Sequence, residues 1–209
     1  MKNVNRLYKS MFYLAGPMDD VKDRGLGWRN EIKKFLWSND IGVLCPCDKA
    51  IIDSVNENDA YFNELDNLKR KNLRQRVHEK MRPVAADDYR MVDKADALIL
   101  YIDKDAHMCG SYHENCMASY QRKPVIVCCE QGVAAIPNWM WSICRHEMFF
   151  DNWQEVKEYI KFVCYGKDVP TYNRWRFFDY YKIFGMSSET LNSEWEDVHA
   201  ISQPSKLKA

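Results

Sequence analysis

Short apolar, β-prone runs alternate with longer amphipathic stretches over most of this sequence. The runs at 97–102 and 125–129 contain no charged residue, which is typical of strands that are buried on both faces of a parallel sheet. Proline or glycine closes other runs and indicates where a strand ends. The sequence therefore predicts five strands, at 12–18, 41–46, 97–102, 123–129 and 147–150.

The stretches between these runs predict helices. Residues 28–37 place Trp28, Ile32 and Leu36 at the spacing of one helical face. Further helices are expected at 85–94, 114–120 and 152–163, with a loop or short helix at 136–141. Strands that alternate with helices predict the α/β class. We expect a three-layer, flavodoxin-like or Rossmann-like architecture, in which a five-stranded parallel sheet carries helices on both faces.

The length and charge of the chain restrict its organisation. A chain of 209 residues can form one well-buried α/β domain with an appendage. We place the domain at 1–165 and an aromatic-rich extension at 166–209, packed on the domain or on a neighbouring subunit. Lys and Arg total 30 and Asp and Glu total 30, so no net charge favours nucleic acid or a membrane surface.

The apolar residues and the cysteines bear on the compartment. No apolar run approaches the roughly 20 residues of a membrane helix, and residues 1–6 carry no secretory apolar region. The eight cysteines lie mainly in apolar segments, which favours buried, reduced thiols and a cytoplasmic protein. Two groupings could suggest a metal, Cys45/Cys47 and Cys109/His113/Cys116, but neither has a matching Cys-x-x-Cys elsewhere. We expect no metal and no cofactor.

Residues 68–82 are rich in lysine and arginine. A solvated helix face is the simpler interpretation. Attraction of a phosphate-bearing substrate or of nucleic acid is the functional alternative.

Glu114 follows the buried run at 97–102, after the turn-forming Gly110. In open α/β sheets, ligands bind beyond the carboxyl ends of the strands, and a carboxylate at this place is a candidate for chemistry. We expect Glu114 in the first turn of the 114–120 helix, where the helix dipole favours a negative charge. His113 would point about 100° away on that helix and is expected to be structural.

Four motifs, in this order, resemble the nucleoside 2-deoxyribosyltransferase family. Residues 12–18 match the aromatic and Ala-Gly signature of the family's first strand, and 88–96 match a segment whose aspartate precedes the third strand. Residues 110–114 match the Gly-x-x-x-Glu turn that carries the family's nucleophile. Residues 138–140 match an Asn-x-Met segment that the family donates across a subunit interface.

The resemblance implies an enzyme that cleaves the N-glycosidic bond of a 2′-deoxynucleoside through a glutamyl-deoxyribose intermediate and transfers the sugar to another base. Glu114 would be the nucleophile, Tyr13 would donate its hydroxyl hydrogen to Glu114, and Asp88 would bind and protonate the base. A general acid needs a raised pKa, which burial would supply to Asp88. Two simpler interpretations remain: Tyr13 as a core aromatic residue, and Asp87 with Asp88 as a helix N-cap pair.

The resemblance also implies substrate contacts and partners. Gly16 and Gly110 would let the backbone approach the substrate, Asn138 would bind the 5′ region of the sugar, and Met140 would line the pocket. Met108 stands where family members place an aspartate or serine for the 5′ end, so the 5′ group stays open. The expected partners are a deoxynucleoside or deoxynucleotide and a free nucleobase, in a homo-oligomer whose neighbouring subunit completes the site.

Three other functions compete with the transferase. A sister activity on the same fold would hydrolyse 2′-deoxynucleoside 5′-monophosphates. A nucleotide-binding module would keep the pocket without turnover. A nucleic-acid-binding protein would use the segment 68–82 together with the aromatic C-terminal extension, although the neutral overall charge makes this an unfavourable interpretation.

Overall fold

The computed structural model describes residues 5–18, 21–49, 55, 57–170, 173–179, 182, 183 and 185. Within them, five strands form one sheet in the order β2-β1-β3-β4-β5, and every pairing is parallel. The strands are β1 (Met11–Ala15), β2 (Gly42–Leu44), β3 (Ala97–Tyr101), β4 (Val125–Cys128) and β5 (Phe149–Phe150). The predicted five-stranded parallel sheet is confirmed.

Six α-helices connect or cover these strands in the described part of the chain. They are α1 (Leu26–Trp37), α2 (Asp59–Arg70), α3 (Arg74–Lys94), α4 (Cys109–Tyr120), α5 (Met140–Ile143) and α6 (Trp153–Tyr165). Short 3-10 turns at Val133–Ala135 and His146–Met148 complete the connections around β5.

One face of the sheet packs against α1 and α6. Side chains alternate across a strand, so Phe12 and Leu14 of β1 and Ile99 of β3 point to the same side. They form one apolar cluster with Ile32 of α1 and Val156 of α6. All five of these side chains are buried, and their removal from water is the main stabilising contribution on this side.

The opposite face packs against α3 and α4. Tyr13 and Ala15 of β1 and Leu98 of β3 point to this side and meet Val92 of α3 and Ala118 of α4. Helices therefore cover both faces of the sheet, and the predicted three-layer α/β architecture is confirmed.

Two helices begin earlier than the sequence predicts. The helix expected at 85–94 begins at Arg74 and contains Pro83, and it includes most of the basic segment. The helix expected at 114–120 begins at Cys109, so Glu114 lies in its second turn. The prediction that the helix dipole favours a charge on Glu114 is therefore wrong. Gly110 does not form a turn: it is helical and exposed, and an added Cβ would meet no atom within 4 Å.

The chain divides into two compact units, residues 1–175 and 176–209. At the end of the first unit, Trp175 is buried and stacks on Phe12 with ring centroids 6.0 Å apart. Its indole Nε1 donates to the hydroxyl of Tyr159 at 2.9 Å. The division at 165/166, and packing of the extension on a neighbouring subunit, stay predictions. Five aromatic residues of the extension lie outside the described residues: Tyr172, Tyr180, Tyr181, Phe184 and Trp195.

Within the described ranges, no helix has both the length and the apolar character that crossing a membrane requires. All eight cysteines are free thiols, and five of them are buried: Cys45, Cys128, Cys129, Cys144 and Cys164.

Candidate active site

The sheet reverses its winding direction beside β1. The chain passes from β1 to β2 on one side and then returns to place β3 on the other side of β1. In doubly wound sheets this switch point opens a crevice at the carboxyl ends of the strands, where ligands bind. The segments that follow β1, β2 and β3 all begin at this edge.

Tyr13 and Glu114 meet at this place. Tyr13 is fully buried in the middle of β1, and its ring points toward α4. Its hydroxyl donates to Oε1 of Glu114 at 2.8 Å. Glu114 is only 7% exposed, so its carboxylate is largely removed from solvent. The hydrogen bond expected from the family resemblance is therefore present, while the catalytic roles of both residues stay predictions.

Asp88 belongs to a buried group of three charges that the sequence analysis missed. The Lys49 ammonium lies 3.1 Å from Oδ1 of Asp88 and also contacts Oε1 of Glu57. The side chains of Lys49, Glu57 and Asp88 are 6%, 12% and 15% exposed. We call them the Lys49 triad. One feature of the sequence could have indicated Lys49. It follows β2 at the carboxyl edge of the sheet, where functional side chains are often found.

The position of Asp88 excludes one of the simpler interpretations. Asp87 and Asp88 lie in the second half of the 21-residue α3, so they do not cap its N-terminus. The N-cap interpretation is therefore wrong, because the helix extends further toward the N-terminus than its apolar pattern indicates. Asp87 makes a surface contact with Arg90 at 3.4 Å, whereas Asp88 points into the Lys49 triad.

Burial changes the proton affinity of both carboxyls. Burial, followed by the negative charge of Asp88, raises the pKa of Glu114 to about 7, against the lowering effect of the Tyr13 hydrogen bond. Burial also raises the pKa of Asp88 to about 6, although the Lys49 ammonium lowers it. Two interacting carboxyls that titrate near neutrality are typical of acid–base and nucleophilic sites. Burial raises the pKa of Tyr13 well above 10.0, so this phenol is a hydrogen-bond donor at neutral pH.

Arg29 is a second buried cation that the sequence analysis did not identify. Its guanidinium is fully buried and donates to the carbonyl oxygens of Gly16 at 2.8 Å and Gly25 at 3.1 Å. It also donates to the carbonyl oxygens of Pro17 and Arg24, both at 3.3 Å. Arg29 therefore holds together the loop that follows β1, and its charge lowers the pKa of Glu114.

Gly16 lies between β1 and this loop. A Cβ at this position would lie 2.6 Å from Cζ2 of Trp28, so glycine leaves the space that the indole fills. The predicted approach of the Gly16 backbone to a substrate stays a prediction.

Of the other residues predicted to contact the substrate, Met108 and Met140 are buried and Asn138 is exposed. Met108 is buried, and its Sδ accepts from the backbone N–H of Asp103 at 3.4 Å. Met140 is buried and accepts from Nδ2 of Asn115 at 3.7 Å, whereas Asn138 is exposed. Among the described residues, no side-chain hydrogen bond joins Met108, Asn138 or Met140 to the Tyr13–Glu114 pair.

His113 connects α4 to α3. Its Nδ1 lies 2.7 Å from the hydroxyl of Tyr89, and the two rings meet edge to face with centroids 5.1 Å apart. Tyr89 and His113 are the chain neighbours of Asp88 and Glu114, so this contact holds the two helices together beside the carboxyls. Within the ranges that the structure describes, no group of three His, Cys, Asp or Glu side chains could hold a metal ion.

Because the carboxyl of Glu114 is buried, we expect the stability of the protein to depend on pH. Because the folded-state pKa of Glu114 is raised from 4.5 to about 7, its stabilising contribution is complete below pH 4.5 and is lost as the pH rises to 7. Glu114→Gln removes this dependence. Between pH 4 and pH 8, we expect the difference in the free energy of unfolding between the variant and the original protein to change by about 3 kcal/mol in favour of the variant. Urea denaturation at both pH values measures the change, and a constant difference would contradict it.

Comparison with known proteins bears on the fold. No protein-family model and no curated protein matches the sequence. Among solved structures, the 2-deoxyribosyltransferase of the psychrotolerant bacterium Bacillus psychrosaccharolyticus superposes with a TM-score of 0.50 at 18% identity, covering 72% of this chain and 92% of that chain. This chain is similar in fold to a 2-deoxyribosyltransferase. The resemblance predicted from the motifs is thereby confirmed at the level of the fold.

Two further solved structures are similar. A conserved protein from Enterococcus faecalis V583 has a TM-score of 0.50 at 15% identity, covering 73% of this chain and 98% of that chain. A CMP N-glycosidase from Clostridium botulinum has a TM-score of 0.42 at 11% identity, covering 73% of this chain and 98% of that chain. A shared fold can host different reactions, so activity has to be argued from the site.

Proposed function

We propose that this protein is a nucleoside 2-deoxyribosyltransferase that uses Glu114 as its nucleophile. The observation that carries the proposal is the buried hydrogen bond between Tyr13 and Glu114 at the switch point of the sheet. A second buried carboxyl, Asp88, faces the same region and titrates in the same pH range. Nucleophile, positioning donor and acid are the three groups that this reaction needs.

The first step breaks the bond between C1′ of the deoxyribose and the nitrogen of the base. Positive charge develops on C1′ and the ring oxygen, and this is easier without an electron-withdrawing 2′-hydroxyl. The Glu114 carboxylate attacks C1′ and forms a glycosyl ester, while the Tyr13 hydroxyl keeps the carboxylate in its rotamer. Asp88 donates its proton to the departing base, which leaves as a neutral molecule.

The second step reverses the first with a different base. A nitrogen of the acceptor base attacks C1′ from the side that the first base left, its proton returns to Asp88, and Glu114 is released. Two displacements at C1′ retain the configuration of the sugar, as in two-carboxylate glycoside chemistry. Attack by water in place of the base would give hydrolysis.

The substrate contacts are proposed on the same basis. Gly16 and Gly110 would lie close to the substrate, and the buried Met108 would shape the region near its 5′ end. Asn138 would complete the pocket of a neighbouring subunit in a homo-oligomer, and Met140, buried in its own subunit, would hold this segment in place. The exposed position of Asn138, together with Trp139 at 73% exposure, supports an interface at this segment.

Product analysis tests the proposed function. The protein is incubated with each 2′-deoxynucleoside, with and without a second free base, and the products are separated chromatographically. A new deoxynucleoside that forms only when the second base is present supports the transferase. Free base released only from 5′-monophosphates would replace it with the hydrolase. Tight nucleoside binding without any product would indicate a binding module, and salt-dependent binding to DNA would indicate a nucleic-acid function.

Tyr13→Phe is expected to lower kcat about 10–100-fold, because it removes a hydrogen bond to a charged group at the reacting carboxylate. The Tyr13 hydrogen bond lowers the pKa of Glu114, so its loss should also move the acid limb of the kcat/KM profile to higher pH. Tyr101→Phe is the matched control, since Tyr101 donates to the exposed Glu130 at 3.2 Å. Equal effects of the two substitutions would contradict the role of Tyr13.

A further inference from the structure

The Lys49 triad is unusual in its composition and its place. It holds one ammonium and two carboxylates, and all three side chains are largely removed from solvent. A buried lysine between two acids is costly unless both contacts are made, and structural stability alone is a weak reason to keep such a group. The triad also includes Asp88, one of the two carboxyls to which we assign chemistry.

The cation contacts one of the two site carboxyls and not the other. The Lys49 ammonium lies 3.1 Å from Asp88. Glu114 receives its side-chain hydrogen bond from the neutral hydroxyl of Tyr13, and no described side chain forms an ion pair with it. A cation favours the charged form of the carboxyl beside it, whereas a neutral donor does so more weakly. When the two carboxyls hold one proton between them, the geometry places the negative charge on Asp88.

We infer that Lys49, which contacts both Asp88 and Glu57, decides which of the two site carboxyls carries the proton in the substrate-free protein. Lys49 keeps Asp88 ionised, and the single proton of the pair resides on Glu114. Lys49 is thus a positioning residue, which acts on the reaction through Asp88. The inference rests on the proposed function for its catalytic meaning, although the proton distribution itself can be observed without turnover.

The proposed reaction then needs a proton transfer before the bond to the base breaks. The attacking state needs an ionised Glu114 and a neutral Asp88, which is the reverse of the substrate-free state. One proton therefore moves from the carboxyl of Glu114 to the carboxylate of Asp88 before the C1′–N bond breaks, and the total charge of the pair is unchanged. A base that binds between Asp88 and Lys49 would weaken their ion pair and favour this transfer. Substrate binding would in this way activate the nucleophile.

Other charged groups near Asp88 and Glu114 also change the pKa values of these two carboxyls. Glu57 and Asp87 raise the pKa of Asp88, and the ionised Asp88 raises the pKa of Glu114, as the repulsion between like charges requires. Arg29 and Lys49 lower the pKa of Glu114. The tyrosines that face these charges from the surrounding elements are Tyr13 of β1, Tyr61 of α2 and Tyr89 of α3. Of all these groups, Lys49 is the cation in direct contact with Asp88.

Two substitutions in the triad should shift the pKa of Asp88 in opposite directions. Lys49→Met removes the cation, and we expect the pKa of Asp88 to rise by at least about one unit and to exceed that of Glu114. Glu57→Gln removes a competing carboxylate and leaves the Lys49–Asp88 pair, so the pKa of Asp88 should fall. In the original protein Asp88 should lose its proton before Glu114, and Lys49→Met should reverse this order.

Carbon-detected NMR of the carboxyl groups across the pH range measures these values, with Asp88→Asn and Glu114→Gln assigning the two signals. Lys33→Met is the matched control, because Lys33 is a buried lysine that pairs with Asp48 at 2.7 Å. It should leave the titration of both site carboxyls unchanged. Should Lys49→Met not fold, the downward shift in Glu57→Gln still tests the inference.

The outcomes separate this inference from the proposed function. Opposite shifts together with base exchange support both. Opposite shifts in a protein that exchanges no base support the role of Lys49 and overturn the transferase. If the protein exchanges bases but the pKa of Asp88 is unchanged in both Lys49→Met and Glu57→Gln, the inference is overturned. It is also overturned if Glu114 loses its proton before Asp88 in the substrate-free protein.

Discussion

Glu114→Gln is expected to lower kcat for base exchange by at least about 10⁴-fold, with a folded protein that is more stable than the original at pH 8. Removing a covalent nucleophile eliminates the two-step route, and losses of this size or larger are typical of such residues. Glutamine keeps the shape of the side chain and can still accept the hydrogen bond from Tyr13. The loss can therefore be assigned to the chemistry of the carboxylate.

Glu130→Gln provides the matched control for this prediction. Glu130 also accepts a hydrogen bond from a tyrosine, but it is exposed at the protein surface. Its substitution should leave kcat within about twofold of the original, as expected of a surface change. A rapidly quenched reaction of the original protein should also contain a deoxyribosyl ester on the peptide that carries Glu114, detectable by mass spectrometry. Retained exchange activity in Glu114→Gln would exclude Glu114 as the nucleophile.

Asp88→Asn is expected to lower kcat by about 10²–10⁴-fold, the range that general acids contribute. Asparagine can bind the base, but it cannot supply a proton to the departing nitrogen. The defect should be smallest for deoxynucleosides whose bases leave most readily as anions, because these need the least protonation. Steady-state kinetics on a series of bases with graded pKa values measures this dependence.

Asp87→Asn is the control that the chain offers for this substitution. Asp87 is the neighbour of Asp88 on α3, but it contacts the exposed Arg90. It should retain most of the activity and the same dependence on the leaving base. An Asp88→Asn protein with unchanged rates, or with an equal defect on every base, would refute the role of Asp88 as the acid.

Much of the fold follows from local features of the sequence. The runs at 97–102 and 125–129 are apolar throughout because both faces of a central parallel strand are covered, and this predicts β3 and β4 directly. The alternation of strands with helices then predicts a parallel sheet with covered faces. Helix starts were predicted less well: the helix expected from residue 85 begins at Arg74, and the helix expected from Glu114 begins at Cys109.

Part of the candidate site was also accessible from the sequence. Glu114 follows a buried strand, and the family resemblance supplied Tyr13 and Asp88 as its companions. The structure joins Tyr13 to Glu114 by a hydrogen bond. Lys49, Glu57 and Arg29 were not found, because each lies in a polar stretch that is typical of solvent-exposed loops or helix surfaces. No local pattern distinguishes a lysine that is 6% exposed from a solvated one.

By itself, the sequence determined the order of the strands along the chain and the class of the fold, and it singled out Glu114 as the candidate carboxylate after a buried strand. Only the tertiary structure decided that a buried ammonium touches Asp88 while Glu114 meets a neutral phenol. The reason is physical. Periodicity records which face of an element is buried, whereas proton affinity depends on the distance and burial of charges from separate elements, and these are set when the elements pack together.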